Sequence, residues 1–288
     1  MMRDDFAVFI LTHGRPDKVV TYKTLQDCGY TGKVFIVIDD EDKKADQYRK
    51  TFGDKVLQFC KSEVAKTFDE GDNFNDRRAI IYARNACFDL AKQVGVRYFV
   101  QLDDDYTAFY FKQNAEGEYV EVGLRDLDFV FECYLEYLKS TPFKTVCMAQ
   151  NGDFIGKTTN PMARKKHRRK VMNTFFCDVE NPFQFVGRIN EDVNTYSAVQ
   201  RAGMPFLTVG LVSIKQKTTQ ANAGGMTELY LDSGTYVKSF YSVMYCPSAV
   251  VVKDMGDAHR RLHHAVSFNA CAPKIIEERH RRRSNATG

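Results

Sequence analysis

A chain of 288 residues, 44% hydrophobic and 27% charged, has the length and apolar content to bury a real core, which excludes a disordered or collagen-like polymer. Lys and Arg number 41 against 37 Asp and Glu, so the formal charge of +4 neither demands nor excludes a nucleic-acid partner. The apolar runs stop at strand length, short of the roughly 20 residues of a helical membrane crossing, and Phe6 to Leu11 is too short for a secretory h-region.

Phe6 to Leu11 reads as a buried strand ending in Thr12-His13-Gly14-Arg15-Pro16, where Pro16 suits a first helical turn. Val19, Val20 and Leu25 give the following helix its inner face, and Gly29 ends it. Lys33 to Ile38 is a second buried strand, stopped by Asp39-Asp40-Glu41-Asp42. A helix over 45–52, a short strand over 56–59 and a polar loop over 62–75 follow. Ile80, Ala83, Ala86, Cys87, Leu90 and Ala91 recur at helical spacing, which predicts a helix from Asp76 to Val94. Val96 to Leu102 is the next strand, and it runs into Asp103-Asp104-Asp105. A hairpin turn at 114–117, an amphipathic helix over 124–138 and a strand over 145–149 come next.

Residues 151–172 are polar and strongly basic and read as a long loop excursion. A helix over 192–202, strands near 206–212 and 249–252, and a Gly-containing loop over 218–226 complete the pattern. Continuous apolar strands alternating with helices predict an α/β fold whose mostly parallel central sheet is covered on both faces. One domain over residues 1–278 and a frayed basic tail over 279–288 are expected, with no internal repeat. The eight cysteines have neither zinc-ribbon spacing nor a disulfide framework, which points to a reduced, cytoplasmic protein.

The strongest chemical signal is the Asp triplet at 103–105. Ligands of open α/β sheets bind beyond the carboxyl ends of strands, and a hard divalent cation relieves the repulsion among adjacent carboxylates. A solvated acidic turn is the plainer reading of such a triplet in isolation. Asp39 closes a strand on the same expected edge, and Arg15 follows the first strand, where phosphate charge would need offsetting. Arg77 and Arg84, seven apart, would share a helix face and either reach a diphosphate or stay in solvent. Glu191-Asp192 is either a helix cap or a general base. His259, His263 and His264 supply half of the six histidines and either complete an Asp-based metal site or mark a basic surface. Gly224-Gly225 is either a turn or a close approach to a sugar or phosphate. Arg164 to Lys170 holds six cationic side chains in seven residues, an electrostatic footprint for a phosphate backbone or else a solvated loop.

Together, the strand-terminal Asp cluster, the Thr-His-Gly-Arg-Pro turn, the later Glu-Asp pair and the late histidines resemble GT-A nucleotide-sugar glycosyltransferases. More narrowly, Gly224-Gly225-Met226-Thr227-Glu228-Leu229-Tyr230, Lys238-Ser239-Phe240-Tyr241 and Arg261-Leu262-His263-His264 resemble the TET-associated glycosyltransferases of bacteriophages, a family linked with sugar transfer to 5-hydroxymethylcytosine in DNA.

The resemblance implies a single GT-A-like domain that takes a nucleotide-sugar donor, UDP-linked, with Mn²⁺ or Mg²⁺, in the cytoplasm of a phage host. Asp103 would face the ribose, with Asp104 beside it, and Asp105 would bind the metal. Thr12, Arg15 and Asp39 would line the nucleoside pocket. Arg77, Arg84, Gly224 and Gly225 are further candidates for the donor side. Asp192, with Glu191, would be the base if the anomeric centre inverts, and His263 would contact metal or diphosphate. Lys165, Lys166, Arg168 and Arg169 would hold DNA by charge alone. A glycosyltransferase acting on protein or glycan, a nucleotidyltransferase, and a non-catalytic DNA-binding module are the rival readings.

Overall fold

The computed structural model of the chain describes residues 2–72, 77–160, 170–216, 236–255, 261–276 and 278–280. Its strands are β1 (Phe6–Leu11), β2 (Lys33–Asp39), β3 (Val56–Phe59), β4 (Tyr98–Asp103), β5 (Tyr106–Gln113), β6 (Tyr119–Gly123), β7 (Thr145–Gln150), β8 (Phe175–Asp178), β9 (Phe206–Gln216), β10 (Val250–Met255) and β11 (Arg261–Val266). The helices are α1 (Val20–Asp27), α2 (Ala45–Phe52), α3 (Lys61–Ala65), α4 (Ile81–Gln93), α5 (Leu127–Ser140), α6 (Glu191–Val199), α7 (Tyr236–Tyr245) and α8 (Phe268–Cys271).

The main sheet has the order β3-β2-β1-β4-β8-β7-β9-β5-β6. Strands β1 to β4 are parallel, β8 reverses between β4 and β7, and β5 reverses between β9 and β6. All other strands of this sheet therefore share one direction. β10 and β11 form a separate antiparallel pair.

Every residue of β1 is buried. Phe6, Val8 and Ile10 belong to the core beneath α1 and α5, whereas Ala7, Phe9 and Leu11 belong to the core beneath α4. The two-residue alternation of a strand thus feeds both layers, which is why β1 reads as an unbroken apolar run. α5 starts where Asp126 accepts the Phe129 N–H at 3.0 Å and turns Leu127, Phe131, Leu135 and Leu138 inward. The parallel strands β1, β2 and β4 then deliver Thr12, Asp39 and Asp103 to one edge.

Several expectations are revised. α4 begins at Ile81, and Arg77 lies ahead of it outside the helix, so Arg77 and Arg84 do not share a helix face. α3 interrupts the predicted 62–75 loop. β9 runs on to Gln216, because its far half pairs with β5, and α6 stops at Val199 before a 3₁₀ turn.

The described ends of the basic excursion are tied at its base. Lys112, fully buried on β5, donates to Glu121 Oε2 at 2.5 Å and Asn151 Oδ1 at 2.6 Å. Its ammonium also lies 5.1 Å from the Phe154 ring centroid and 5.7 Å from that of Tyr119. On the returning side Lys170 Nζ donates to Gln150 Oε1 at 2.7 Å and pairs with buried Asp153 at 3.2 Å. Lys165, Lys166, Arg168, Arg169, Gly224 and Gly225 lie outside the described residues, as does His259.

Candidate active site

The turn after β1 is stitched to the Asp triplet by a directional chain of hydrogen bonds. The Arg15 N–H donates to Tyr48 Oη at 2.8 Å, and Tyr48 Oη lies 2.9 Å from Thr12 Oγ1. Thr12 Oγ1 donates to Asp104 Oδ2 at 2.6 Å. Each hydroxyl has one proton to give, so Tyr48 donates to Thr12. Arg15 Nε closes the ring with its own 2.7 Å bond to Asp104 Oδ2. Asp104 is buried, and its charge is used up in bracing this turn.

A second braced carboxylate ends β2. Asp39 Oδ2 meets His13 Nδ1 at 2.7 Å, and Asp39 Oδ1 meets Lys61 Nζ at 3.1 Å and the Glu41 N–H at 3.0 Å. Burial opposes ionisation of Asp39, but His13 and Lys61 outweigh it and hold the carboxyl below its ordinary range. Reciprocally, the bond to Asp39 raises His13. Gly14, at φ +70°, gives its N–H to Asp42 Oδ2 at 2.7 Å, and the left-handed turn suits glycine. Arg77 pairs with Glu41 at 3.5 Å on the same side.

Asp103 and Asp105 are held differently. Burial pushes the Asp103 carboxyl up to about 6, Arg84 opposes the rise, and Glu191 and Asp104 add to it. Burial, then Asp103 and Asp104, push half-buried Asp105 up to about 6 as well. Thr21 fixes the backbone here, donating from Oγ1 to Asp103 O at 2.6 Å and accepting the Tyr106 N–H at 2.9 Å. Among the described residues no three His, Cys, Asp or Glu side chains gather into a protein-only metal cage.

Arg84 joins this edge to α6. Its Nε donates to Glu191 Oε1 at 3.0 Å, and a terminal nitrogen donates to Asp103 Oδ1 at 3.2 Å. The guanidinium carbon lies 5.0 Å from the Phe175 ring centroid, and Gln101 Nε2 fixes the Arg84 carbonyl at 2.8 Å. Burial raises both Glu191 and Asp192, which repel one another. Asp192 Oδ1 accepts the adjacent Val193 N–H at 2.7 Å.

The approach to α6 is fixed from two sides. Gly187 N donates to Asp69 O at 2.8 Å, Arg188 N donates to Glu70 O at 2.9 Å, and buried Arg188 Nε meets Asp72 at 2.8 Å. A Cβ on Gly187 would come within 2.4 Å of Asn194 Nδ2 and 2.6 Å of Tyr245. Asn190 takes a left-handed backbone at φ +56° and donates from Nδ2 to Lys238 O at 2.7 Å and Ser242 Oγ at 3.2 Å. His264, rather than His263, contacts Asn190, at 3.4 Å. Burial, then His263 and Lys238, lower His264 to about 4, so its imidazole is neutral at pH 7. The His263 ring centroid lies 4.3 Å from that of His264.

One contiguous site therefore gathers Thr12, Arg15, Asp39, Arg84, Asp103, Asp104 and Asp105, with Glu191 and Asp192 reached through Arg84. Sequence inspection passes over Tyr48, Asp42 and Lys61. Tyr48 and Asp42 carry no local motif and join the site only when β1 packs on β2. Lys61 follows β3, whose parallel pairing with β2 puts its end on the same edge as Asp39, and that topology was the available signal.

The sequence profile of the TET-associated glycosyltransferases matches residues 6–225. The chain belongs to that family. This glycosyltransferase carries its Asp triplet, its Arg84 bridge and its Glu191-Asp192 pair inside the matched region, while Lys238 to Tyr241 and Arg261 to His264 lie beyond it. No curated protein matches the chain. Among solved structures it is similar to glucosyl-3-phosphoglycerate synthase from Mycobacterium tuberculosis. Against that enzyme's complex with Mg²⁺ and uridine diphosphate the TM-score is 0.44 at 11% identity, covering 91% of this chain and 88% of that one. Against its complex with Mn²⁺, UDP-glucose and glycerol 3-phosphate the TM-score is 0.45 at 11% identity, covering 92% and 88%. No described helix is long and apolar enough to cross a membrane.

Proposed function

We propose that the enzyme moves a sugar from a UDP-linked donor to the hydroxyl of 5-hydroxymethylcytosine in DNA, with a divalent cation at the donor diphosphate. The observation that carries this reading is the Arg84 bridge, which sets the strand-end carboxylates beside the acidic start of α6 in one site. Asp103 and Glu191, the neighbour of the candidate base Asp192, are thereby joined through one buried guanidinium.

The donor set fits a hard cation. Asp104 is already engaged by Arg15 and Asp103 by Arg84, which leaves half-buried Asp105 as the oxygen donor of this turn. Mg²⁺ and Mn²⁺ bind through one or two carboxylates and take their other ligands from water and phosphate, so a three-residue protein cage is not required. Asp105 would hold the ion, and His263, its ring beside that of His264, would be the late histidine for the ion or diphosphate. Bound there, a cation would offset the negative charge of the departing diphosphate.

The chain's own groups do the remaining work. Thr12, Arg15 and Asp39 line the nucleoside side, Asp103 faces the ribose, and Arg77 adds positive charge beside Glu41. Asp192 takes the acceptor hydroxyl proton in an inverting transfer, and Glu191 holds Arg84 in place. Gly224 and Gly225 are candidates for the donor side, and Lys165, Lys166, Arg168 and Arg169 are candidates to meet the DNA phosphates by charge. A hydroxymethyl group on C5 of cytosine projects into the major groove, where an acceptor site can reach it.

The test is to incubate the protein with hydroxymethylated DNA, Mn²⁺ and a panel of nucleotide sugars, then weigh the digested nucleosides. A hexose or N-acetylhexosamine increment on 5-hydroxymethyl-2′-deoxycytidine is the expected result. Sugar found only on protein or glycan acceptors would reassign the substrate.

A further inference from the structure

The turn after β1 directs a polar ring outward. Asp39, at the end of β2, has both oxygens engaged, Oδ2 by His13 Nδ1 at 2.7 Å and Oδ1 by Lys61 Nζ at 3.1 Å and the Glu41 N–H at 3.0 Å. Its side chain is 6% exposed, whereas that of His13 is 55% exposed. Tyr48 and Thr12 give their hydroxyl protons to Thr12 and Asp104. The group that an incoming molecule meets at this end of β2 is therefore the imidazole, with Asp39 behind it.

The ring's hydrogen bond fixes its chemistry. An ionised carboxylate only accepts, so Nδ1 carries a proton and gives it to Asp39. Nε2 is left for a ligand, as an acceptor in the neutral ring and as a donor in the cation. The bond to Asp39 favours the cation, and so does Asp42, whose Oδ2 lies 3.7 Å from Nδ1. Partial burial and Lys61 oppose it, and the balance raises His13. A cationic N–H turned outward suits an oxygen acceptor.

Position decides which oxygen. β2 and β4 are the two neighbours of β1, and Val37 and Asp103 both stand level with Leu11. The ends of β2 and β4 are thus two strand spacings apart, about 10 Å. Asp103 is joined through Arg84 to Glu191 on the acceptor side, which leaves the β1 and β2 side for the nucleoside. A diphosphate held at Asp105, just past β4, is too far away to reach His13 itself. The ribose and base attached to it extend along this edge and bring the base to the ring.

We propose that His13 reads the donor's nucleobase, giving its Nε2–H to a carbonyl oxygen of the base, and that Asp39 is a positioning residue acting through His13. This rests on the UDP-donor reading above and names the residue that meets the base.

The assignment is tested by calorimetric titration of the full-length protein with UDP and, in parallel, with inorganic pyrophosphate, each with Mn²⁺ across a pH series. His13→Ala should weaken UDP by about tenfold or more, the worth of a hydrogen bond from a charged donor, and leave pyrophosphate unchanged. In wild type, UDP affinity relative to pyrophosphate should be full at low pH and fall as pH rises through the raised His13 value. His13→Gln donates but does not titrate, so it should keep part of the affinity and lose that dependence. Asp39→Asn should move the fall to lower pH, because the anion that favours the cation is gone; a merely structural Asp39 would leave it in place. Matching circular dichroism spectra establish that the variants are folded.

Equal weakening of UDP and pyrophosphate in His13→Ala would put the ring on the diphosphate and overturn the assignment. So would UDP binding indifferent to His13, or a fall with pH that persists in His13→Gln. Sugar transfer is weighed alongside. Transfer from a UDP-sugar with UDP binding that ignores His13 removes this assignment alone, whereas binding of neither UDP nor pyrophosphate removes the donor reading together with it.

Discussion

Arg84 and Glu191, 107 positions apart in sequence, meet in a 3.0 Å ion pair whose side chains are 3% and 14% exposed. Removing one partner of such a pair strands charge in a dry interior, at a cost of about 3–5 kcal/mol. Arg84→Met should therefore lower the urea midpoint sharply, since Asp103 loses the same cation. Arg84→Lys keeps the charge but not the fork that reaches both carboxylates, and should recover only part of the loss. An unchanged midpoint in Arg84→Met would show that the bridge contributes nothing to folding.

Asp192→Asn should lower kcat by about 10²–10⁴-fold, the usual worth of a positioned base, with the donor KM little changed. Burial raises the Asp192 carboxyl, while the Val193 N–H and Arg84 oppose the rise. A base works only when ionised. Activity should thus fall with decreasing pH at a higher pH than for an exposed carboxylate, with Glu191 titrating jointly. The kcat/KM–pH profile reads this directly, and a flat acid limb would remove Asp192 from the base role.

Asp105 makes an opposite prediction for stability and for metal. Its carboxyl, pushed up to about 6, binds its proton more tightly folded than unfolded. The ionised form therefore costs stability above pH 6, and that cost fades as pH falls through 6. Asp105→Asn should raise the Tm of the metal-free protein at pH 7.5, with a smaller gain at pH 5. The same variant should lose the Tm increase that Mn²⁺ gives wild type. A Mn²⁺ response of wild-type size in Asp105→Asn would place the cation elsewhere.

Asn190 separates backbone strain from side-chain bonding. Asn190→Ala loses the bonds to Lys238 and Ser242 and also keeps a left-handed backbone that costs an ordinary side chain about 1–2 kcal/mol. Asn190→Gly loses the bonds only. The glycine variant should be the more stable of the two by about 1 kcal/mol in chemical denaturation, with equal stabilities contradicting the strained cap.

For the basic run, replacing Lys165, Arg168 and Arg169 with Glu should weaken DNA binding and flatten its salt dependence. Each lost duplex phosphate contact removes about 0.9 from the log–log slope. Binding measured across a salt series decides it, and an unaltered slope would exclude this run as the phosphate site.

The parts of the fold that could be read in the sequence are those governed by short-range pattern. β1, β2 and β4 announce themselves because both faces are covered, and the carboxylates at their ends follow from parallel pairing. β8 stays hidden because four residues following a basic excursion carry too little periodicity. α7 stays hidden because exposed Tyr236, Phe240 and Met244 and buried Ser239 and Ser242 blur its apolar periodicity. At the site, the Asp triplet is conspicuous but its division of labour is not. Only packing shows that Asp104 turns inward to Thr12 and Arg15, that Arg84 is buried rather than solvated, and that Lys61 and Tyr48 belong to the same constellation.

The paired lysine anchors at the base of the basic excursion have a consequence for how this enzyme can change. Lys112 fixes the outgoing chain through Asn151, and Lys170 fixes the returning chain through Gln150 and Asp153. Both roots are secured to the sheet by groups that lie outside residues 161–169. Substitutions within residues 161–169 should therefore leave these anchors intact. The lysine anchors thus mark where a change within residues 161–169 would stop being felt by the sheet: at Asn151 on one side and at Lys170 on the other.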